Sequence, residues 1–146
     1  MSKYVGSYPD GAAIVGDETF TVLNAAGVSV NYDMVSIFEY ITETAGEVIE
    51  DTTTSRTLTL TDSEKFLKFT HVDDITVTVP LNSTTAFKIG VEIMFEQNNV
   101  GVITFVGEAG VEITNVDTSL MTADRYSVVG LKKVDVDEWV LVGSVG

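Results

Sequence analysis

Short stretches in which apolar and polar residues alternate run through most of the chain, and they constrain the fold more than any other feature. The alternation is clear in residues 57–61, 67–69, 75–79 and 91–95. A period of two is typical of β-strands that place one face on a core and the other in solvent. We therefore expect a mainly β protein, and we predict that the two longest segments supply core residues: Ile75, Val77, Val79, Val91, Ile93 and Phe95.

Turn signals separate these segments. Pro80 has no backbone N–H to donate, so it predicts the end of the strand before it, and the following "LNSTTAF" predicts a loop. Residues 107–110 predict the turn of one hairpin, and residues 135–138 predict the turn of a second. Strands at this regular, short spacing predict an antiparallel β-sandwich or a jelly-roll-like module.

The first 50 residues have a different pattern. Residues 1–18 are rich in glycine and lack periodicity, which indicates an arm, and residues 19–32 predict a hairpin around an Asn-Ala-Ala-Gly turn. Residues 33–46 predict one helix, with Asp33 at its start and Gly46 at its end. Its apolar stripe is either core packing or a face for a partner, and we predict it as an interface: Met34, Ile37, Phe38 and Ile41. We therefore divide the chain into an N-terminal segment of arm, hairpin and helix, 1–50, and a β-module, 51–146.

Composition excludes several classes of function. The chain has 146 residues, 45% of them hydrophobic, and carries a net charge of −14. That charge would repel nucleic acid and anionic lipid, so we predict neither as a partner. No run of about 18 apolar residues predicts a membrane helix, and no signal peptide is recognisable. The absence of cysteine excludes disulfides and favours synthesis in a cytoplasm.

The strand around residues 139–142 is apolar on both faces, because Trp139 and Leu141 alternate with Val140 and Val142. A strand with one face in solvent would carry polar residues at alternate positions. Something therefore covers the second face, and another subunit is the simplest candidate. We predict an oligomer with Val140 and Val142 in its interface.

Side chains suited to catalysis are scarce. His71 is the only histidine, and its position beyond Leu67 and Phe69 favours a structural role. The acidic pairs Asp73/Asp74 and Asp135/Asp137 are compatible with glycosidase carboxylates or calcium ligands, but solvated turn residues are the favoured interpretation. Stacking of a sugar on Trp139 is a weaker alternative to its burial. We predict no catalytic, cofactor-binding or metal-binding residue, and hence no enzyme.

Several blocks of the sequence are similar to a β-module that recurs in the virion proteins of tailed bacteriophages, especially in fibres and head decorations. The blocks extend from about Arg56 to Gly143: "TLTLTDSEKFLKFT", "ITVTVP" followed by "LNS", "FKIGVEIMFEQNNVGVITFVGEAGVEI" and "YSVVGLKKVDVDEWVLVG". The chain departs from the pattern at residues 98–101, "NNVG", where such modules often carry Gly-Ala-Gly. The first 50 residues lie outside the resemblance.

This resemblance implies a non-enzymatic structural protein of a phage particle, which is made in the host cytoplasm and located in the virion. It implies a trimer in which residues 1–50 form the docking and oligomerisation segment. Because the chain is too short for a fibre shaft, we expect a capsid decoration, cement or head-fibre protein that binds the assembled capsid. The alternative is a component of a tail fibre or spike that binds a glycan on the host surface.

Overall fold

The computed structural model describes residues 46–146 in full, together with the backbone of two strands at residues 19–23 and 29–33. The chain forms two compact units, Met1–Glu43 and Thr44–Gly146. The boundary that we predicted between residues 50 and 51 falls inside a strand of the second unit.

The described part of the first unit is a hairpin. Strands β1 (Thr19–Leu23) and β2 (Ser29–Asp33) pair in antiparallel fashion, from Thr19 opposite Asp33 to Leu23 opposite Ser29. This confirms the predicted pairing, although the turn between them lies outside the described residues. Asp33, the predicted helix start, is the last residue of β2. The predicted helix itself, with Met34, Ile37, Phe38 and Ile41, lies outside the described residues.

Almost all of the regular secondary structure in the described residues of the second unit is β-strand, which confirms the mainly β prediction. Only a short 3-10 turn, Leu60–Asp62, interrupts the series. The strands are β3 (Val48–Asp51), β4 (Ser55–Thr57), β5 (Phe66–Phe69), β6 (Ile75–Val79), β7 (Glu92–Gln97), β8 (Ile103–Gly107), β9 (Glu112–Thr114), β10 (Val128–Asp135) and β11 (Glu138–Gly143).

From β3 to β9, successive strands alternate between two sheets. A six-stranded sheet has the order β3-β5-β7-β10-β11-β9, and a three-stranded sheet has the order β4-β6-β8. The pairs β3–β5, β5–β7, β4–β6 and β6–β8 are all parallel. From β3 to β8 the chain therefore follows a short coil of three turns, the path seen in β-solenoids. A purely antiparallel sandwich or jelly roll is not what forms, because a period of two does not distinguish parallel from antiparallel neighbours.

The two predicted hairpins of this unit have different outcomes. Strands β10 and β11 pair in antiparallel fashion, with an irregularity between Lys133 and Asp135, and β10 also pairs with β7. This confirms the hairpin predicted at residues 135–138. The hairpin predicted at residues 107–110 is wrong, because β8 and β9 belong to different sheets and β9 pairs in parallel with β11.

One apolar core lies between the two sheets. It contains all six core residues predicted from the sequence, together with Trp139 and Leu141. The rings of Phe95 in β7 and Phe105 in β8 meet edge to face with their centroids 4.9 Å apart, which joins one sheet to the other. The proline stop is also confirmed, since β6 ends at Val79.

Candidate interaction surface

The outer face of the six-stranded sheet carries a continuous apolar row. In β3, β5, β7, β10 and β11 the residues that point away from the core come into register across the strands. We call this row the outer stripe, and its members are Val48, Phe66, Met94, Gly130 and Val142. With neighbouring strands about 4.8 Å apart, the stripe crosses roughly 19 Å of the sheet. The second face of β11 contributes Val142 to the stripe.

Gly130 occupies the middle of the stripe, and its neighbours close over it. A Cβ atom at Gly130 would lie 3.1 Å from Met94 Sδ and 3.4 Å from Val142 Cγ2. The glycine is buried although it lies on the outer face. The two side chains therefore make one apolar surface across three strands, whereas Val48 and Val142 remain 62% and 52% exposed.

Charged residues lie on both sides of the outer stripe. On one side Lys68 faces Glu50, with Nζ 3.6 Å from a carboxylate oxygen. On the other side Lys132 faces Glu92 at 3.5 Å. The four side chains are between 32% and 59% exposed. The two pairs therefore define the edges of the stripe and add little to stability.

A groove opens where the stripe reaches β9 and β11. Its volume is about 360 Å³, and Val140 and Val142 form part of its wall together with Val116 and Val145. Val116 is 91% exposed, and Asp117 adds a carboxylate. Val140 and Val142, the predicted interface residues in the described part of the chain, thus lie together on one accessible surface.

An ion cluster fastens the first turn of the coil. Arg56 Nη1 lies 2.6 Å from Asp51 Oδ2, and Arg56 Nη2 lies 2.5 Å from Asp62 Oδ1. The second oxygen of Asp62 accepts the backbone N–H of Thr59 at 2.8 Å. Burial alone would raise the pKa of Asp51, but hydrogen bonds from Thr53 and Arg56 outweigh it and lower that pKa. Burial would lower the pKa of Arg56, and the two carboxylates more than reverse this and raise it.

Lys133 is a fully buried lysine that sequence reasoning missed. Its ammonium donates to Asn82 Oδ1 at 2.5 Å and to the Phe87 carbonyl at 3.0 Å, and it lies 5.8 Å from the centre of the Trp139 ring. Burial lowers the pKa of Lys133, and the charge of Asp137 opposes this. The sequence does indicate this burial, because Lys133 lies two residues after the apolar Leu131 on the same strand and residues at this spacing share a face.

The side chains considered for chemistry are dispersed, and several of them hold loops. His71 Nδ1 accepts the backbone N–H of Asp73 at 3.0 Å. Asp74 accepts the N–H of Val102 at 3.1 Å, and Asp137 accepts the N–H of Asn82 at 2.7 Å. Across residues 46–146 no group of three or more acidic or histidine side chains is placed to hold a metal ion.

Trp139 lies inside the core, with 1% of its surface exposed, and packs edge to face on Phe87 at 5.4 Å. The alternative of a sugar stacked on this ring is therefore wrong. Among the described residues, no helix is long and apolar enough to cross a membrane.

No family model, curated protein or solved structure matches the chain. The outer stripe, its charged edges and the adjoining groove are thus the features on which a function can be argued.

Proposed function

We propose that this protein is a non-enzymatic structural component of a bacteriophage particle. In this proposal it oligomerises as a trimer and binds the assembled capsid as a decoration, cement or head-fibre protein. The observation that carries the proposal is the outer stripe. An apolar row about 19 Å long on a rigid sheet is suited to binding a protein surface, and it is not the concave pocket that a small substrate requires.

Several ionisable side chains hold loops and strands together, which supports a structural role for the protein. Asp74, Glu108 and Asp137 each accept a backbone N–H from a loop that is 27 or more residues away in the chain. Buried Asp62 and Asp51 bind Arg56. These groups are engaged in holding the body of the protein in shape.

A cement protein stabilises a capsid through thermodynamic linkage between binding and assembly. A protein that binds only the assembled shell adds its binding free energy to the stability of that shell, by about 2.7 kcal/mol per site at a concentration one hundred times Kd. Three joined copies raise the effective concentration of the second and third contacts. Trimerisation would thus allow a weak contact in each subunit to give durable attachment.

Localisation on the particle tests the proposal directly. Gold-labelled antibody against the protein, applied to particles of the phage that encodes it, should label the head at many copies per particle. Label confined to the tail tip would favour the tail-fibre alternative with its host glycan. Particles without the protein would overturn the proposal.

Two further measurements test its parts. Light scattering after gel filtration should give three times the 15.7 kDa mass of the chain; a monomer at micromolar concentration would refute the trimer. Deletion of residues 1–18 should abolish binding to the particle and leave the oligomer folded, because we assign docking and oligomerisation to the first 50 residues. Particle binding by this truncated protein would contradict that assignment.

A further inference from the structure

The charges around the outer stripe are predominantly acidic. Lys68 and Lys132 are each used by a glutamate of the same face. Three more glutamates point outward on β7, β9 and β11, and none of them forms an ion pair with a described lysine or arginine: Glu96, Glu112 and Glu138. Glu96 lies in the row next to the stripe, and Glu112 and Glu138 lie one row further out, beyond Val140. The outer face of the sheet therefore combines the apolar stripe with an excess of negative charge.

Two of these glutamates lie opposite each other. Glu138 of β11 is in register with Glu112 of β9, and both are exposed. Like charges at directly opposed positions destabilise a strand pair. This arrangement costs stability in the free protein, and a cation placed between the two carboxylates would remove the repulsion.

The described surface of this chain offers little that could supply such cations. Arg56 and Lys65 are bound to carboxylates, and Lys133 is buried. Lys88 and Arg125 are the exposed cations of residues 46–146 that have no ion pair, and they lie in separate loops. A second copy of the β-module would thus bring further acid to the stripe, which favours a different protein over the predicted second subunit as the partner of Val142.

We propose that the outer stripe binds a different protein, whose surface presents an apolar ridge flanked by lysine or arginine. The identity of that partner as the capsid rests on the proposed function, whereas its chemistry rests on the charges described above. The stripe, its charged rows and the row of Glu112 and Glu138 span about 24 by 20 Å, which is still below the roughly 800 Å² per partner of a stable interface. Each contact is therefore weak, and durable attachment needs several joined copies.

Methionine methyl signals provide a local readout in the full-length protein. Met94 lies in the stripe, and Met121, which is 42% exposed, lies beside β8 of the other sheet. The protein would be labelled with ¹³C at the methionine methyls and titrated with ten-residue peptides of alternating sequence: Leu-Lys, Leu-Gln and Leu-Glu. We expect the Leu-Lys peptide to shift Met94 and not Met121, with at least about tenfold tighter binding than the Leu-Gln peptide. Equal shifts at both methyls would overturn the proposal.

Substitution of two valines on different sheets distinguishes binding at the stripe from non-specific attraction to the negative charge of the protein. Val142 is 52% exposed in the stripe, and Val106 is 45% exposed on the three-stranded sheet. Val142→Ser should weaken binding of the Leu-Lys peptide by about fivefold, and Val106→Ser should leave it unchanged. Equal effects of the two substitutions would show that the peptide does not use the stripe.

The surrounding charges have their own test. Replacing Glu96, Glu112 and Glu138 together by glutamine should reduce the preference for Leu-Lys over Leu-Gln to about threefold or less. An unchanged preference would refute the role of these carboxylates. If the Met94 signal instead moves with protein concentration in the absence of peptide, the stripe joins copies of this chain and the proposal fails. None of these readouts depends on a phage particle, so the proposed function can fail separately.

Discussion

Replacing Arg56 by methionine should destabilise the β-module far more than replacing an exposed lysine. The substitution keeps most of the side-chain volume and removes the cation that joins Asp51 to Asp62. The side chain of Asp62 is fully buried and that of Asp51 is 5% exposed, so both would retain charges with no counter-ion. Breaking a buried ion pair in this way costs about 3–5 kcal/mol.

Two structural details place the expected loss near the lower end of that range. Asp62 keeps its hydrogen bond from the Thr59 N–H, and Asp51 keeps those from Thr53. Arg56 is itself 24% exposed, so part of its interaction with the carboxylates is screened by water. We therefore expect Arg56→Met to lower the free energy of unfolding by about 3 kcal/mol. Arg56→Lys should lower it by less, because one ammonium cannot reproduce two guanidinium contacts.

Urea unfolding followed by tryptophan fluorescence would measure this loss. The chain has one tryptophan, and Trp139 is buried in the core of the unit that contains the ion cluster. The control is Lys68→Met, which removes the exposed pair with Glu50 and should change stability by less than about 0.5 kcal/mol. Equal losses for Arg56→Met and Lys68→Met would refute the reasoning.

Three other predictions concern the same unit. Gly101→Ala should lower the free energy of unfolding by more than about 2 kcal/mol in urea titration, because its Cβ would lie 2.0 Å from the carbonyl oxygen of Asp73; a neutral effect would show that the turn is free to shift. The ionised form of Asp51 stabilises the fold above its ordinary pKa of 3.8, and this contribution is lost as pH falls through the lower folded-state pKa. Asp51→Asn should therefore reduce the acid-induced loss seen in fluorescence below pH 3.8, and an unchanged acid profile would count against it. Phe105→Ala should cost about 3–5 kcal/mol by thermal or urea unfolding, and Val106→Ala less than about 1 kcal/mol, since only Phe105 packs between the sheets.

The strands and core could be predicted from the sequence, whereas the pairing of the strands could not. Alternation identified Val77 and Ile93 as core residues because burial on one face of a strand requires a period of two. The partner of each strand depends on tertiary contacts that leave no periodic signal. Residues 107–110 have turn chemistry, yet the chain uses that turn to move β9 to the other sheet.

Part of the candidate surface could also be predicted from the alternation of apolar residues. Val140 and Val142 were predicted as interface residues because both faces of their strand are apolar. Phe66 and Met94 lie far from them in the sequence and join Val142 only through the register of β5, β7, β10 and β11. The opposition of Glu112 and Glu138 likewise follows from a parallel pairing that the sequence does not indicate.

The position of β7 has a consequence for synthesis of the protein. Its two neighbours in the sheet are β5, which is made earlier, and β10, which is made later. At about 5–20 residues per second, a ribosome needs roughly 2–7 seconds to proceed from Phe95 to Val129. During that interval the edge of β7 that later pairs with β10 is open, and such an unpaired edge exposes the nascent chain to aggregation. The strongly acidic sequence would keep such unfinished chains apart by mutual repulsion until β10 and β11 complete the core.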